Sequence, residues 1–265
     1  MNKYAHAVRH SVTSLFGWYR LRLAQPDFAR ELLRQRWRYF VRREFKPGTS
    51  TPDGFVLETP DSLVAYWSMF VERELYSDDW VKPFRVASNP LVLDVGANAG
   101  LFSHFAFCCN PRAEVIAFEP LPMMVERIKV LQKRTGMNLT CVAKAAGRKP
   151  GEAILESPHG YDGTSRICIS GQPTGQAFRV EVTTLDKESA GRLVFLVKID
   201  VEGFEEEVIA GASATLAKTR FLIIEAHNAA RRDQLARLLG PNWHWRRLGA
   251  SDYLFMRVQD PGQHL

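Results

Sequence analysis

Cysteine is scarce in this 265-residue chain, and Cys108, Cys109, Cys141 and Cys168 show no zinc-type spacing. All four lie in or beside apolar segments, so buried, reduced thiols are expected, as suits a cytoplasmic protein. The chain has no run of about 18 uncharged apolar residues, so no membrane-spanning helix is expected. Its first 25 residues contain Arg9, His10, Arg20 and Arg22 without a continuous apolar stretch, and do not read as a secretory signal. Internal repeats and low-complexity tracts are also missing.

What is present suits a globular protein. Hydrophobic residues make up 46% and mean hydropathy is -0.19, ordinary values for a soluble chain long enough to bury a full core. Charge is uneven: residues 1–50 carry 11 Lys and Arg against 3 Asp and Glu, whereas the remainder is nearly neutral. This divides the chain into a basic helical extension over 1–50 and one catalytic domain over 51–265. In the extension, Arg30, Arg34, Arg36, Arg38, Arg42 and Arg43 interleave with Leu32, Leu33, Trp37, Tyr39 and Phe40. Such a helix suits docking on an anionic membrane surface, a protein partner or nucleic acid, or simple packing on the domain with its arginines in water.

The most informative stretch is Leu91-Val-Leu-Asp-Val-Gly-Ala-Asn-Ala-Gly-Leu-Phe-Ser103, an apolar strand running into a small-residue turn and then a helix. Gly96 and Gly100 keep the turn free of side chains, and Asn98 tolerates a left-handed backbone. A dinucleotide site needs Gly-x-Gly-x-x-Gly to seat a pyrophosphate on a helix N-terminus. Here the order is Asp-x-Gly-x-Asn-x-Gly; the central glycine is missing, and Asp94 would repel an anion while favouring an ammonium or sulfonium. A second strand, Val115-Ile-Ala-Phe118, ends in Glu119, near the ~20-residue offset at which an acid takes ribose hydroxyls. Together these describe a pocket for a cationic nucleoside, of which S-adenosylmethionine is the obvious one. Asp94, Gly96, Ala97, Asn98, Gly100, Phe102, Glu119, Pro120, Ala145 and Asp200 are its candidate contacts.

Along the chain, Lys46–Gly54 reads as a breaker-rich linker, followed by a short strand at Phe55–Glu58 and a helix over Val64–Tyr76 that covers the pocket. Strands then alternate with helices: strands near 91–95, 114–118, 139–144, 194–199, 221–226, 243–248 and 253–258, helices near 100–109, 122–135, 204–216 and 229–239. Alternation of this kind builds a parallel sheet with helices on both faces. About fifty residues between the third and fourth strands exceed what a crossover needs. They form an insertion with β-like runs at 166–169 and 178–182, and Tyr161, Asp162 and Ser165 are its candidate acceptor contacts. The last two strands form a hairpin without an intervening helix.

At this point the chain resembles the FkbM-type S-adenosylmethionine-dependent methyltransferases. The resemblance rests on Asp94–Gly100, Phe118-Glu-Pro120, Val182-Thr-Thr-Leu-Asp186, Lys198-Ile-Asp-Val-Glu-Gly203 with Glu207–Ala212, and Ile224-Glu225. It implies an α/β, Rossmann-like class I methyltransferase fold: a seven-stranded, mostly parallel sheet ending in an antiparallel hairpin. It also implies methylation of a hydroxyl on a sugar, glycan or natural product. The basic extension has no counterpart in that pattern.

Ligands in open α/β sheets bind beyond the carboxyl ends of the strands. Asp200 and Glu202 follow one such end; Glu225, His227 and Asn228 leave the next. Asp200 or His227 is the expected base, and Asp200, Glu202, Glu225 and His227 are the catalytic candidates. A divalent metal on Asp200, Glu225 and His227 is compatible with the pattern but not favoured, since no dense acidic cluster demands it. Glu202 also suits a helix cap, Glu205, Glu206 and Glu207 a solvated first helical turn, and Lys198 a partner for a carboxylate. Two other functions stay open: a nucleic-acid methyltransferase, disfavoured because no Asn-Pro-Pro-Tyr-like or catalytic-cysteine motif is present, and a non-catalytic nucleoside-binding module. A cytoplasmic protein, peripheral to the inner face of the membrane, is expected.

Overall fold

A computed structural model describes residues 25–42, 44–157, 165–168 and 175–258. Helix α1 (Pro26–Trp37) opens on a proline, whose missing N–H is spare in a first turn, and carries Asp27 at its start and Arg34 and Arg36 at its end. It buries Ala29 and Leu32, continues through a wider turn over Arg38–Arg42, and sets Phe28 edge-on to Tyr66 at 5.9 Å. The described part of the extension thus shares a core with the sheet. The expected linker instead folds back on itself: β1 (Thr49–Ser50) pairs antiparallel with β2 (Val56–Leu57).

Helix α2 (Pro60–Tyr66) begins earlier than the apolar pattern suggests, because Thr59 and Ser62 cap it reciprocally. It widens over Trp67–Glu72 and stops at Arg73, which is left-handed with φ 58°. Helix α3 (Asp78–Val86), capped by Ser77, escaped the sequence reading because Pro83 lies inside it.

The central sheet then builds up through β3 (Leu91–Val95), α4 (Leu101–Cys109), β4 (Glu114–Phe118), α5 (Pro122–Thr135) and β5 (Asn138–Val142). The insertion follows, with β6 (Ala145–Ala146), β7 (Gly151–Ser157), β8 (Arg166–Ile167), β9 (Gln176–Thr183) and α6 (Leu185–Ser189). Its strands form a separate sheet in the order β6-β9-β7-β8. The chain ends with β10 (Val194–Ile199), α7 (Glu205–Ala210), α8 (Ser213–Ala217), β11 (Thr219–Glu225), α9 (Ala229–Leu239), β12 (Trp243–Arg247) and β13 (Asp252–Arg257).

The main sheet has the order β12-β13-β11-β10-β3-β4-β5, parallel from β11 to β5, with β13 inserted antiparallel between β11 and β12. This is the α/β architecture implied by the resemblance. Period-two alternation sends Val92 into the core on one face and Leu91, Leu93 and Val95 into the core on the other, so both faces are covered. The helix expected over 204–216 is two short ones. Gly211 lies between them, where a Cβ would come 2.0 Å from the Gly147 carbonyl oxygen, so the insertion packs directly against the break. The cysteines depart from expectation: Cys108 is exposed and the other three are half-buried. No helix among the described residues is long and apolar enough to cross a membrane.

Candidate active site

The turn after β3 is built on close backbone contact. Gly96 has φ 79°, and a Cβ there would sit 1.8 Å from the Asp200 carbonyl oxygen, so any side chain would part β3 from β10. Asn98 adopts φ 50° and accepts a hydrogen bond from the Ala99 N–H through Oδ1 at 2.7 Å. The Asn98 N–H donates to Glu119 Oε2 at 2.8 Å and the Leu121 N–H to Oε1 at 2.9 Å. One carboxylate at the tip of β4 therefore holds the turn after β3 and keeps lone pairs for a ligand. Burial pushes the Glu119 carboxyl up to about 7 despite those two donors.

Asp94 is fully buried. Its Oδ2 accepts from the Ser103 N–H at 3.0 Å and the Ser103 hydroxyl at 2.6 Å, anchoring α4, while Oδ1 has no hydrogen-bond partner among the described residues. Gly100 caps α4 and faces Leu131 and Ile128 of α5; it serves helix packing and does not line the cleft.

Two adjoining pockets make one cleft. Glu119, Pro120, Met124, Ala145, Ser165 and Phe204 line one half, beside the insertion. Asp94, Ala97, Phe102 and Glu225 line the other, closed opposite by Thr59, Asp61, Ser62 and Ala65 around α2. Gly96, Asn98, Asp200 and Glu202 border both. Ser165 thus lies in the Glu119 half, and Tyr161 and Asp162 fall outside the described residues.

Acids crowd the ends of β10 and β11 around one buried ammonium. Lys198 Nζ lies 2.7 Å from Asp200 Oδ2, and the charges of Asp94 and Asp252 also act on it. Burial lowers the Lys198 pKa, but these carboxylates outweigh it and raise the net value. Burial likewise opposes the Asp200 charge, yet Lys198 prevails and holds Asp200 below its ordinary range. Glu225 goes the other way: burial, the Asp200 charge and a hydrogen bond with Asp200 push it up to about 8, against the Ser251 hydroxyl, which donates to Oε1 at 2.8 Å. With its carboxyl raised to about 8, Glu225 is the protonated member of this pair at neutral pH and donates a hydrogen bond to the Asp200 carboxylate.

His227 stands at the rim, 59% exposed, with Nε2 3.5 Å from Glu202 Oε2 and Nδ1 3.9 Å from Glu225 Oε1. It does not line either pocket as the side chain stands. One atom each from Glu202, Glu225 and His227 falls within 4.8 Å of the others, close enough to share a cation. Glu202 is not a helix cap: it takes a left-handed φ of 50°, costing ~1–2 kcal/mol, which turns its carboxylate toward the cleft.

The Glu225 shift has a consequence for stability. The folded state holds this proton from about 4.5 up to about 8, so the Glu225 contribution to stability declines as pH rises through that window. Asp200, depressed, contributes in the opposite sense and loses its share as pH falls. Glu225→Gln is expected to flatten the loss between about pH 4.5 and 8, so its Tm should gain on the parent as pH rises. Parallel Tm curves across that range would rule the assignment out.

Several expectations need correction. Asn228 does not join the mouth; its Oδ1 caps α9 by accepting from the Arg231 N–H at 2.9 Å. Glu205 is not solvated but buried, 2.8 Å from the Arg231 guanidinium. Asp252, absent from the expected site, lies opposite Glu225 in the β11–β13 register, and burial and the Asp200 charge push it up to about 7. The inserted final hairpin was the available signal, since it places the start of β13 beside the end of β11. The helix expected to cover the pocket does close it, but mostly through Thr59, Asp61 and Ser62, ahead of the expected start at Val64.

A family model described as the methyltransferase FkbM domain matches residues 94–258. The AMB antimetabolite synthetase AmbE of Pseudomonas aeruginosa is 28% identical over 228 residues, 69% of this chain and 10% of that protein. The hexuronic acid methyltransferase AglP of Haloferax volcanii is 30% identical over 151 residues, 55% of this chain and 59% of its own length. The 31-O-demethyl-FK506 methyltransferase FkbM of Streptomyces tacrolimicus is 28% identical over 195 residues, 61% of this chain and 75% of its own. The chain thus spans a tenth of AmbE and little more than half of AglP. With more than half of its residues matched by the family model, this protein belongs to the methyltransferase FkbM domain family.

Proposed function

We propose that this chain is an S-adenosylmethionine-dependent O-methyltransferase acting on a hydroxyl of a sugar, glycan or natural product. The observation that carries the reading is the buried Glu119 carboxylate, bonded to the bare turn at Asn98 in a cleft that continues to the acids of β10 and β11. A carboxylate with spare lone pairs suits ribose hydroxyls, a side-chain-free turn suits close approach, and an acid-rich end suits a cationic sulfur. Relatives named for a hexuronic acid and for a 31-O-demethyl compound support an oxygen acceptor.

When bound, S-adenosylmethionine supplies an activated methyl group. The protein supplies alignment and proton management. His227, beside Glu202 and Glu225, takes the proton of the acceptor hydroxyl. Asp200, kept ionised by Lys198, presents negative charge to the cation, and Glu225 steadies Asp200 through their shared hydrogen bond. Helix α2 closes the cleft against water.

Isothermal titration of the full chain with S-adenosylmethionine tests the reading, with micromolar binding and displacement by the demethylated product expected. Glu119→Gln should weaken binding ~10–100-fold, the loss of one charge-assisted hydrogen-bonding partner. A titration without heat would overturn the proposal.

For the extension, a peripheral contact with an anionic membrane surface is the reading best supported. Trp37 and Phe40 are each 50% exposed and Val41 62%, among Arg30, Arg34, Arg38 and Arg42, a combination of apolar tips and cations that suits an interface. Co-sedimentation with phosphatidylglycerol vesicles, lost in the double variant Trp37→Ser/Phe40→Ser and absent with phosphatidylcholine alone, is the expected result.

A further inference from the structure

We infer that Asp53, His104 and Cys108 form a binding site for a zinc-class divalent metal, separate from the cleft. His104 and Cys108 lie four residues apart on α4, hence on one face of the helix. Asp53 reaches them from the turn between β1 and β2. Their ligand atoms, Asp53 Oδ1, His104 Nε2 and Cys108 Sγ, all fall within 4.8 Å of one another.

The distances also suit coordination. His104 Nε2 is 3.4 Å from Asp53 Oδ1 and 3.6 Å from Cys108 Sγ, and the first is longer than an ordinary N–H···O bond. Tetrahedral zinc with ordinary bond lengths would place nitrogen and oxygen about 3.3 Å apart, and nitrogen and sulfur about 3.6 Å apart. Two of the three edges of such a site are therefore already in place, and the third, between Asp53 and Cys108, lies within 4.8 Å. Three protein ligands leave the fourth position for water, on the side where Cys108 meets solvent. Thiolate with imidazole selects zinc-class ions over magnesium or calcium.

The surroundings hold the ligands in place. Phe55, Phe70 and Phe107 flank the His104 ring at 5.9, 5.8 and 6.5 Å between centroids, and the ring is fully buried. Its Nδ1 has no hydrogen-bond partner among the described residues, so Nε2 is the ring nitrogen that faces the other two ligands. The Tyr66 hydroxyl donates to Asp53 Oδ2 at 3.1 Å, and the Thr51 hydroxyl donates to Oδ1, so the carboxylate is oriented by its own neighbours. A bound ion would clip the β1–β2 hairpin to α4, the helix that follows the cofactor turn. No spacing motif announces the site, because its third ligand comes from a segment far upstream.

Cobalt(II) titrated into the chelator-treated full chain reports directly on this cluster. A thiolate-to-cobalt charge-transfer band is expected, saturating at one equivalent. Cys108→Ser, at an exposed position, should abolish the band, and zinc competition with a chromophoric chelator should show at least tenfold weaker binding. Asp53→Asn should weaken the cobalt complex while the thiol remains, and zinc should raise the Tm of the parent chain but not of Cys108→Ser. The acids around His227 contain no sulfur, so binding there gives no such band. Absence of the band in the parent, or its survival in Cys108→Ser, would overturn the inference.

Discussion

Replacing His227 with glutamine is expected to cut turnover by about 10²–10⁴, the usual contribution of a positioned general base, while leaving the affinity for S-adenosylmethionine within twofold. The split follows from position: His227 stands at the rim beside Glu202 and Glu225, away from Glu119 and the turn at Asn98. Glutamine keeps a polar side chain of similar reach but does not take a proton. Single-turnover rates with titrated cofactor affinity check both halves, and the rate deficit should shrink at high pH, where more of the acceptor is already deprotonated. Full turnover in this variant would move the base to Asp200. That residue is better probed as Asp200→Asn than as alanine, since removing its side chain leaves the Lys198 ammonium without its 2.7 Å partner.

Lys198→Met is expected to destabilise the fold by about 3–5 kcal/mol, the cost of breaking a buried ion pair from one side. Lys198 is buried beneath the cleft, in register with Asp94 on β3 and with Ile223 on β11. Burial raises Asp94 and Asp252, and the Lys198 charge opposes that rise in both; at Asp200 the Lys198 charge overcomes burial and holds the carboxyl below its ordinary range. Methionine fills similar space without charge, leaving three carboxyl groups around an apolar tip, and Asp200 would then take up a proton. Urea denaturation should show the midpoint falling with m unchanged. A midpoint within experimental error of the parent would mean that water already screens these acids.

Much of this arrangement is legible along the chain. Buried parallel strands read as apolar runs, so Leu91–Val95 and Val194–Ile199 announced themselves, and an acid or small-residue turn directly after such a run marks a ligand-facing end. Asp94, Gly96, Asn98, Glu119 and Asp200, which line the cleft, stand out in this way, because strand, turn and helix are local and each has its own sequence signature. Helix caps were harder: Asn228 and Glu205 look like any polar residue after a strand until their partner, the Arg231 backbone or guanidinium, is known.

Local pattern therefore determined the fold class, the bare turn after β3 and the order of the acids, since these depend on periodicity and backbone freedom within a few residues. Folding in three dimensions decided which acids share a proton, which are neutralised and which side chains close the cleft. Asp252 meets Glu225 through an antiparallel insertion, Thr59, Asp61 and Ser62 join the cleft ahead of the expected start of the covering helix, and Asp53 joins His104 and Cys108 across a hairpin. Charge state and coordination depend on distances of a few ångströms between segments remote along the chain, and those distances are set by packing.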